Sequence, residues 1–104
     1  MRYDPTIQKY IDDGKKQMKT NHYERSMKIF RDCLQKDPDN IEAHYLLGLS
    51  CYHLELFEDV IKTLTSVIIK DDHYRKNVYL FLAIAEKKLG FPEDAILSVL
   101  LYLI

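Results

Sequence analysis

Gly14 returns as Gly48, Tyr23 as Phe57, Phe30 as Leu64, Leu34 as Ile68 and Asp37 as Asp71, each pair 34 residues apart. A chain that repeats its pattern at this period is built from like supersecondary units that bury their apolar faces against one another. A third copy follows if one residue is inserted near Asp72 to Arg75. Leu47 then matches Leu82, Gly48 matches Ala83, Leu54 matches Leu89, Leu64 matches Val99 and Val67 matches Tyr102, at a spacing of 35.

Within each copy apolar residues recur at three- and four-residue intervals, and turn signals divide the copy into two helical stretches. Asp4 before Pro5 reads as an N-cap followed by proline at the first helical position, where a missing N–H costs nothing. KDPDN closes one helix, because Pro38 cannot continue it, and offers Asn40 to cap the next. In LGFPED, Gly90 ends a helix and Pro92 starts another. The spacing predicts six helices at about 5–20, 23–36, 41–54, 57–70, 76–89 and 92–104. With 104 residues and 47% hydrophobic composition, one domain with a core is expected, and three Gly and three Pro leave room for few turns.

The small residues explain how each hairpin closes. Gly14, Gly48 and Ala83 stand where two helices cross, with Ser26 and Ala95 small on the facing helix. Phe30, Leu64 and Val99 are then expected to fill the space between one hairpin and the next, each contributing about 1.5–3 kcal/mol of burial. This arrangement over residues 7 to 104 resembles the tetratricopeptide repeat, whose unit favours an aromatic and Leu-Gly in its first helix, aromatics and small residues in its second, and a closing proline. Tyr10, Gly14, Tyr23, Ser26, Phe30, Cys33 and Pro38 supply that pattern in the first copy, and Leu47, Gly48, Phe57, Leu64 and Asp71 in the second. The resemblance implies an all-α fold, an α-solenoid of three antiparallel helix-turn-helix repeats in a right-handed superhelix. A lead-in at 1–6 would precede repeats at 7–40, 41–75 and 76–104. Asp13 departs from the pattern, standing where Leu47 and Leu82 stand later; so do the bulky Val60 and the large Tyr102.

Composition and spacing exclude several functions. Fifteen Lys and Arg balance sixteen Asp and Glu, so there is no electrostatic footprint for nucleic acid. The one basic stretch, GKKQMK, is interrupted by Asp12, Asp13 and Glu24 and reads as a solvated helix face. Cys33 and Cys51 sit in apolar contexts without a CxxC spacing, which points to buried, reduced thiols and a cytoplasmic, reducing location. His22, His44, His53 and His73 form no HExxH or other zinc pattern, so no metal or other cofactor is expected. Asp12 with Asp13, Glu58 with Asp59 and Asp71 with Asp72 are adjacent, and neighbours on a helix point apart. No enzymatic activity is expected.

Two surfaces are left as candidates. The first is the chain end FPEDAILSVLLYLI. If Ala95, Val99 and Tyr102 face inward, Leu97, Leu101 and Ile104 point away from their own hairpin, where the earlier copies carry Lys28, Asp32 and Gln35 or Lys62, Ser66 and Ile69. Leaving all three exposed forgoes roughly 5–9 kcal/mol of burial. Ten residues are too few to span a membrane, so a membrane role requires a longer chain. The stretch reads instead as an assembly surface, joining a second copy or a larger complex. A solenoid normally ends on a helix with a polar outer face, and none follows Ile104, so the sequence reads either as an excerpt of a longer array or as one that a partner completes.

The second candidate is the concave side, which in such solenoids is lined by the first helices. The resemblance places Ile11, Lys15, Met18, Tyr45, Leu49, Tyr52, Leu80 and Ile84 there. A groove of that character suits an amphipathic helix or an apolar peptide segment of a protein partner, and the same residues equally suit packing within the array or against a following helix of the same chain. One subclass of the family clamps the acidic C-terminal tails of chaperones with Lys, Asn and Arg; here the matching places hold Ile11, Lys15, Leu46, Asn77 and Phe81, so an acidic chaperone tail is not the expected partner.

Overall fold

The structure, a computed structural model, describes residues 4–104 as six helices, with no strand among them. They are α1 (Pro5–Lys19), α2 (Tyr23–Lys36), α3 (Ile41–His53), α4 (Phe57–Lys70), α5 (Asn77–Lys88) and α6 (Pro92–Leu103). Each boundary falls within one residue of that read from the sequence. Positions 1–3 of the expected lead-in lie outside the described residues, and Pro5 already belongs to α1.

The caps are where sequence chemistry places them. The Asp4 carboxylate accepts from the Thr6 N–H at 2.8 Å, and the Asn40 side chain accepts from the Ala43 N–H at 2.8 Å, each satisfying an orphan donor of the first turn. The turns inside the three hairpins share one geometry despite unrelated sequences. Asn21, Glu55 and Gly90 all take positive φ (61, 59 and 85°). In each turn the following N–H reaches back five residues: His22 to Gln17, Leu56 to Cys51 and Phe91 to Glu86, at 2.8–2.9 Å. This is the Schellman closure, which satisfies the last carbonyls of a helix. The inserted residue of the third copy is absorbed between α4 and α5, where Asp71 accepts from the His73 N–H and the Arg75 guanidinium lies 5.1 Å from the Tyr45 ring centre and 5.3 Å from that of Tyr74.

The helices pair as α1 with α2, α3 with α4 and α5 with α6, and successive hairpins stack through α2 on α3 and α4 on α5. α1 also touches α3, and α3 touches α5, whereas α2 and α4, or α4 and α6, do not meet. First helices therefore form the inner layer and second helices the outer one. α3 touches four other helices, and it is accordingly apolar on nearly every side, burying Ala43, Tyr45 to Gly48, Ser50 and Cys51.

The glycines do what the crossing requires. A Cβ on Gly14 would run into the Phe30 ring, and one on Gly48 would stand 2.6 Å from Leu64 Cδ2. Phe30 and Leu64 are fully buried as expected. Val99 is not: it is 38% exposed, with no helix among the described residues packed over it. Ser98, rather than Val99, joins Ala95 on the inward face of α6, donating to Glu86 Oε1 at 2.6 Å. Val60 is accommodated without exposure, and the first junction carries a polar key in which the hydroxyls of Ser26 and Ser50 lie 2.8 Å apart.

Candidate functional site

The residues read from the sequence as one groove separate into three groups. Ile11 and Tyr45 are 1% and 6% exposed and so lie inside the array instead of facing a partner. Ile11 is covered where α2 and α3 close over α1, and the Tyr45 hydroxyl accepts from Asn77 Nδ2 at 2.8 Å across to α5. Lys15 and Tyr52 are half-buried but engaged: Lys15 pairs with Glu42 at 3.0 Å between α1 and α3, and the Tyr52 ring meets Phe81 edge-on with centres 4.8 Å apart. Met18, Leu49, Leu80 and Ile84 are half-buried and offer apolar surface.

Leu80 and Ile84 belong to a feature that the sequence reading did not locate, a groove of about 430 Å³ between α5 and α6. Ala83, Lys87, Pro92, Ala95, Ile96, Val99 and Leu100 complete its lining. Gly14 and Gly48 are overlaid by Phe30 and Leu64, which are fully buried, whereas Val99, the equivalent of Leu64, is 38% exposed and lines the groove together with Ala83. Ile96 repeats Ile61 and Met27, which are half-buried beneath a neighbouring hairpin, but Ile96 itself is 62% exposed.

Beyond the groove the apolar surface continues around α6. Leu97, Leu101 and Ile104 are exposed as the sequence implied, Ile104 by 88%, and Leu100 adds to them. These four occupy i, i+3, i+4 and i+7, one helix face. The corresponding face of α2 is Lys28, Arg31, Asp32 and Gln35, and that of α4 is Lys62, Thr65, Ser66 and Ile69. No helix among the described residues is long and apolar enough to cross a membrane.

Cys33 and Cys51 are free thiols, fully buried. Burial pushes the Cys51 thiol up to about 11, with the Asp59 charge adding to it and Arg31 opposing, and burial raises Cys33 as well. Neither is a nucleophile near neutral pH. The described residues hold no cluster of three or more His, Cys, Asp or Glu able to bind a metal ion. The His44 ring bonds the Pro38 carbonyl at 2.8 Å, an internal link within one loop and helix.

Paired hairpins, an inner layer of first helices and one repeated turn define the class: the chain is an α-solenoid of three tetratricopeptide-type repeats. Solved structures of that fold superpose on nearly all of it. The Yersinia enterocolitica type III secretion translocator chaperone SycD matches with a TM-score of 0.86 and 15% identity over 96% of this chain and 75% of its own. The second TPR of Spaghetti (RPAP3), solved bound to the HSP90 peptide SRMEEVD, gives 0.87 and 20% over 93% of this chain and 89% of its own. MamA of MSR-1 gives 0.86 and 24% over 97% of this chain, which spans 59% of that protein's chain. No protein-family model matches the sequence, and no curated protein does.

Proposed function

We propose that the protein is a non-enzymatic interaction scaffold that holds a protein segment against its third hairpin. The α5/α6 groove carries this reading: it is lined almost wholly by aliphatic side chains and joins the half-buried Leu80 and Ile84 of the inner layer. Such concave apolar surface with few polar groups is the usual character of a peptide-helix site. Met18 and Leu49 extend the apolar surface along the inner face, with Lys15 and Tyr52 beside them held by their own neighbours. A chaperone tail of the acidic kind is not favoured, since Ile11 and Leu46 are buried at two of the matching places and Asn77 is bonded to Tyr45 at a third.

A peptide-display selection on the immobilised chain tests the reading. The binders recovered should be lost from an Ile96→Glu variant and kept by Leu49→Glu, both substitutions being checked for helicity. The reverse pattern would move the site to the inner face around Leu49 and Tyr52.

A second reading, a structural subunit joined through α6, rests on the stripe of Leu97, Leu100, Leu101 and Ile104, which stacking of repeats does not account for. Sedimentation equilibrium across a concentration series should then give a mass above the monomer that Leu97→Lys with Leu101→Lys returns to monomer. A monomer at every concentration removes self-association from consideration.

A further inference from the structure

The groove between α5 and α6 is the third of a series, and the other two are filled. α3 lies on α1 and α2, and α5 lies on α3 and α4. The two filling helices bury side chains in the same register. α3 uses Ala43, Leu47 and Ser50, with the Ser50 hydroxyl meeting Ser26 of α2; α5 uses Val78, Leu82 and Ala85. All six are buried. The shared pattern is an aliphatic or small residue at i, Leu at i+4 and a small residue at i+7, one helix face.

The third groove differs from the first two in one polar position. α5 sets Phe81, its i+3 residue, against the Tyr52 ring of α3. The residue of α5 that repeats Tyr52 is Lys87, which lines the groove, is exposed and makes no ion pair among the described residues. Its neighbour Glu86 is already held by Ser98. A helix seated as α5 is seated would therefore bring its i+3 side chain to an ammonium with no partner.

We infer that the α5/α6 groove binds a helix of another protein carrying an aliphatic residue at i, Asp or Glu at i+3, Leu at i+4 and a small residue at i+7. The inference rests on the groove reading above and names the chemistry of its occupant. A second copy of this chain does not supply that helix. The free first helix, α1, places Asp12 at i+3, but Lys9, Asp13 and Lys16 stand at i, i+4 and i+7, and burying three charges against aliphatic side chains is strongly unfavourable. The partner helix seats on the third hairpin as α5 seats on the second, with Lys87 selecting it by charge and Ala95 limiting the size of its i+7 residue.

The probe is a pair of synthetic peptides, made helical by a lactam bridge on the far face because short free helices are marginal in water. One carries Val, Glu, Leu and Ala at i, i+3, i+4 and i+7; its twin carries Lys at i+3. Fluorescence anisotropy with the whole chain at low salt should show the Glu peptide binding about tenfold more tightly, from exchanging one attraction for one repulsion near the surface. Lys87→Glu, an exposed position that leaves the fold intact by circular dichroism, should reverse the order, and a Trp at i+7 should abolish binding. Equal affinities, or an order unchanged in Lys87→Glu, would overturn the inference while leaving the groove a binding site. If neither peptide bound the folded chain, the groove reading would fall with it. Head-to-tail self-association that excludes the peptides would make the occupant a second copy, against the inference.

Discussion

At the N-terminal end of the stack, α1 carries the exposed Lys9 and Lys16 and the half-buried Asp13 at the positions where α3 buries Ala43, Leu47 and Ser50. At the other end, Ile96, Leu97, Leu100, Leu103 and Ile104 are each more than half exposed. The backbone at both ends is the same hairpin, so the contrast is written wholly in side chains. Three polar residues make one outer face of the stack hydrophilic, and the other outer face, without them, stays apolar.

The contrast is broken most severely by giving the first end the face of α3. The triple variant Lys9→Ala, Asp13→Leu, Lys16→Ser should stack head to tail on the open groove of the next molecule. Because that contact does not close on itself, sedimentation velocity should find open-ended polymers instead of a single species. The next largest effect compares a filled junction with the open one. Phe30→Ala should cost about 3–5 kcal/mol in urea unfolding, as expected for a buried aromatic, whereas Val99→Ala should cost less than about 1 kcal/mol because its side chain is already part-exposed.

A pH series sharpens the same point. The Cys51 thiol titrates near 11 when folded, against 9.0 for a free thiol. Between those values the unfolded chain loses the proton and the folded chain keeps it, so stability falls as pH rises from about 9 to 11. The loss attributable to this group is about 2–3 kcal/mol, and it should vanish in Cys51→Ala while the rest of the alkaline profile persists. The smallest expected effect lies in the turns. Glu55 holds the left-handed conformation that Gly90 holds at no steric cost, so Glu55→Gly should raise stability by about 1 kcal/mol, visible as a shifted urea midpoint.

The fold was legible because a repeat states its contacts more than once. Gly14 with Phe30 and Gly48 with Leu64 mark the same crossing twice, and the proline, Asp and Asn signals mark the helix starts. Glu55 gave no sign of its turn, since nothing in a glutamate predicts positive φ; the conformation comes from the hairpin that surrounds it. The site was legible only in part. Apolar helix positions look alike in sequence whether they face a partner or a neighbouring helix, which is why Ile11 and Tyr45 joined Leu80 and Ile84 in one predicted groove. The α5/α6 groove is lined from two helices at once, a relation that helical spacing within either one does not carry. Leu97, Leu101 and Ile104, by contrast, could be read directly, because the polar residues of the first two copies had already shown which face is outermost.

The central position of α3 bears on how the chain can be made. As synthesis proceeds from the N-terminus, α1 and α2 can pair as soon as both have emerged, and α3 can settle on them through Ala43, Leu47 and Ser50. Its opposite flank, with Tyr45 and Tyr52, is only partly covered, by Phe57, until Tyr74, Arg75, Asn77 and Phe81 have left the ribosome. For that interval the nascent protein carries a partly uncovered aromatic surface on α3, and the length of α4 together with the loop from Asp71 to Lys76 sets how long the wait lasts.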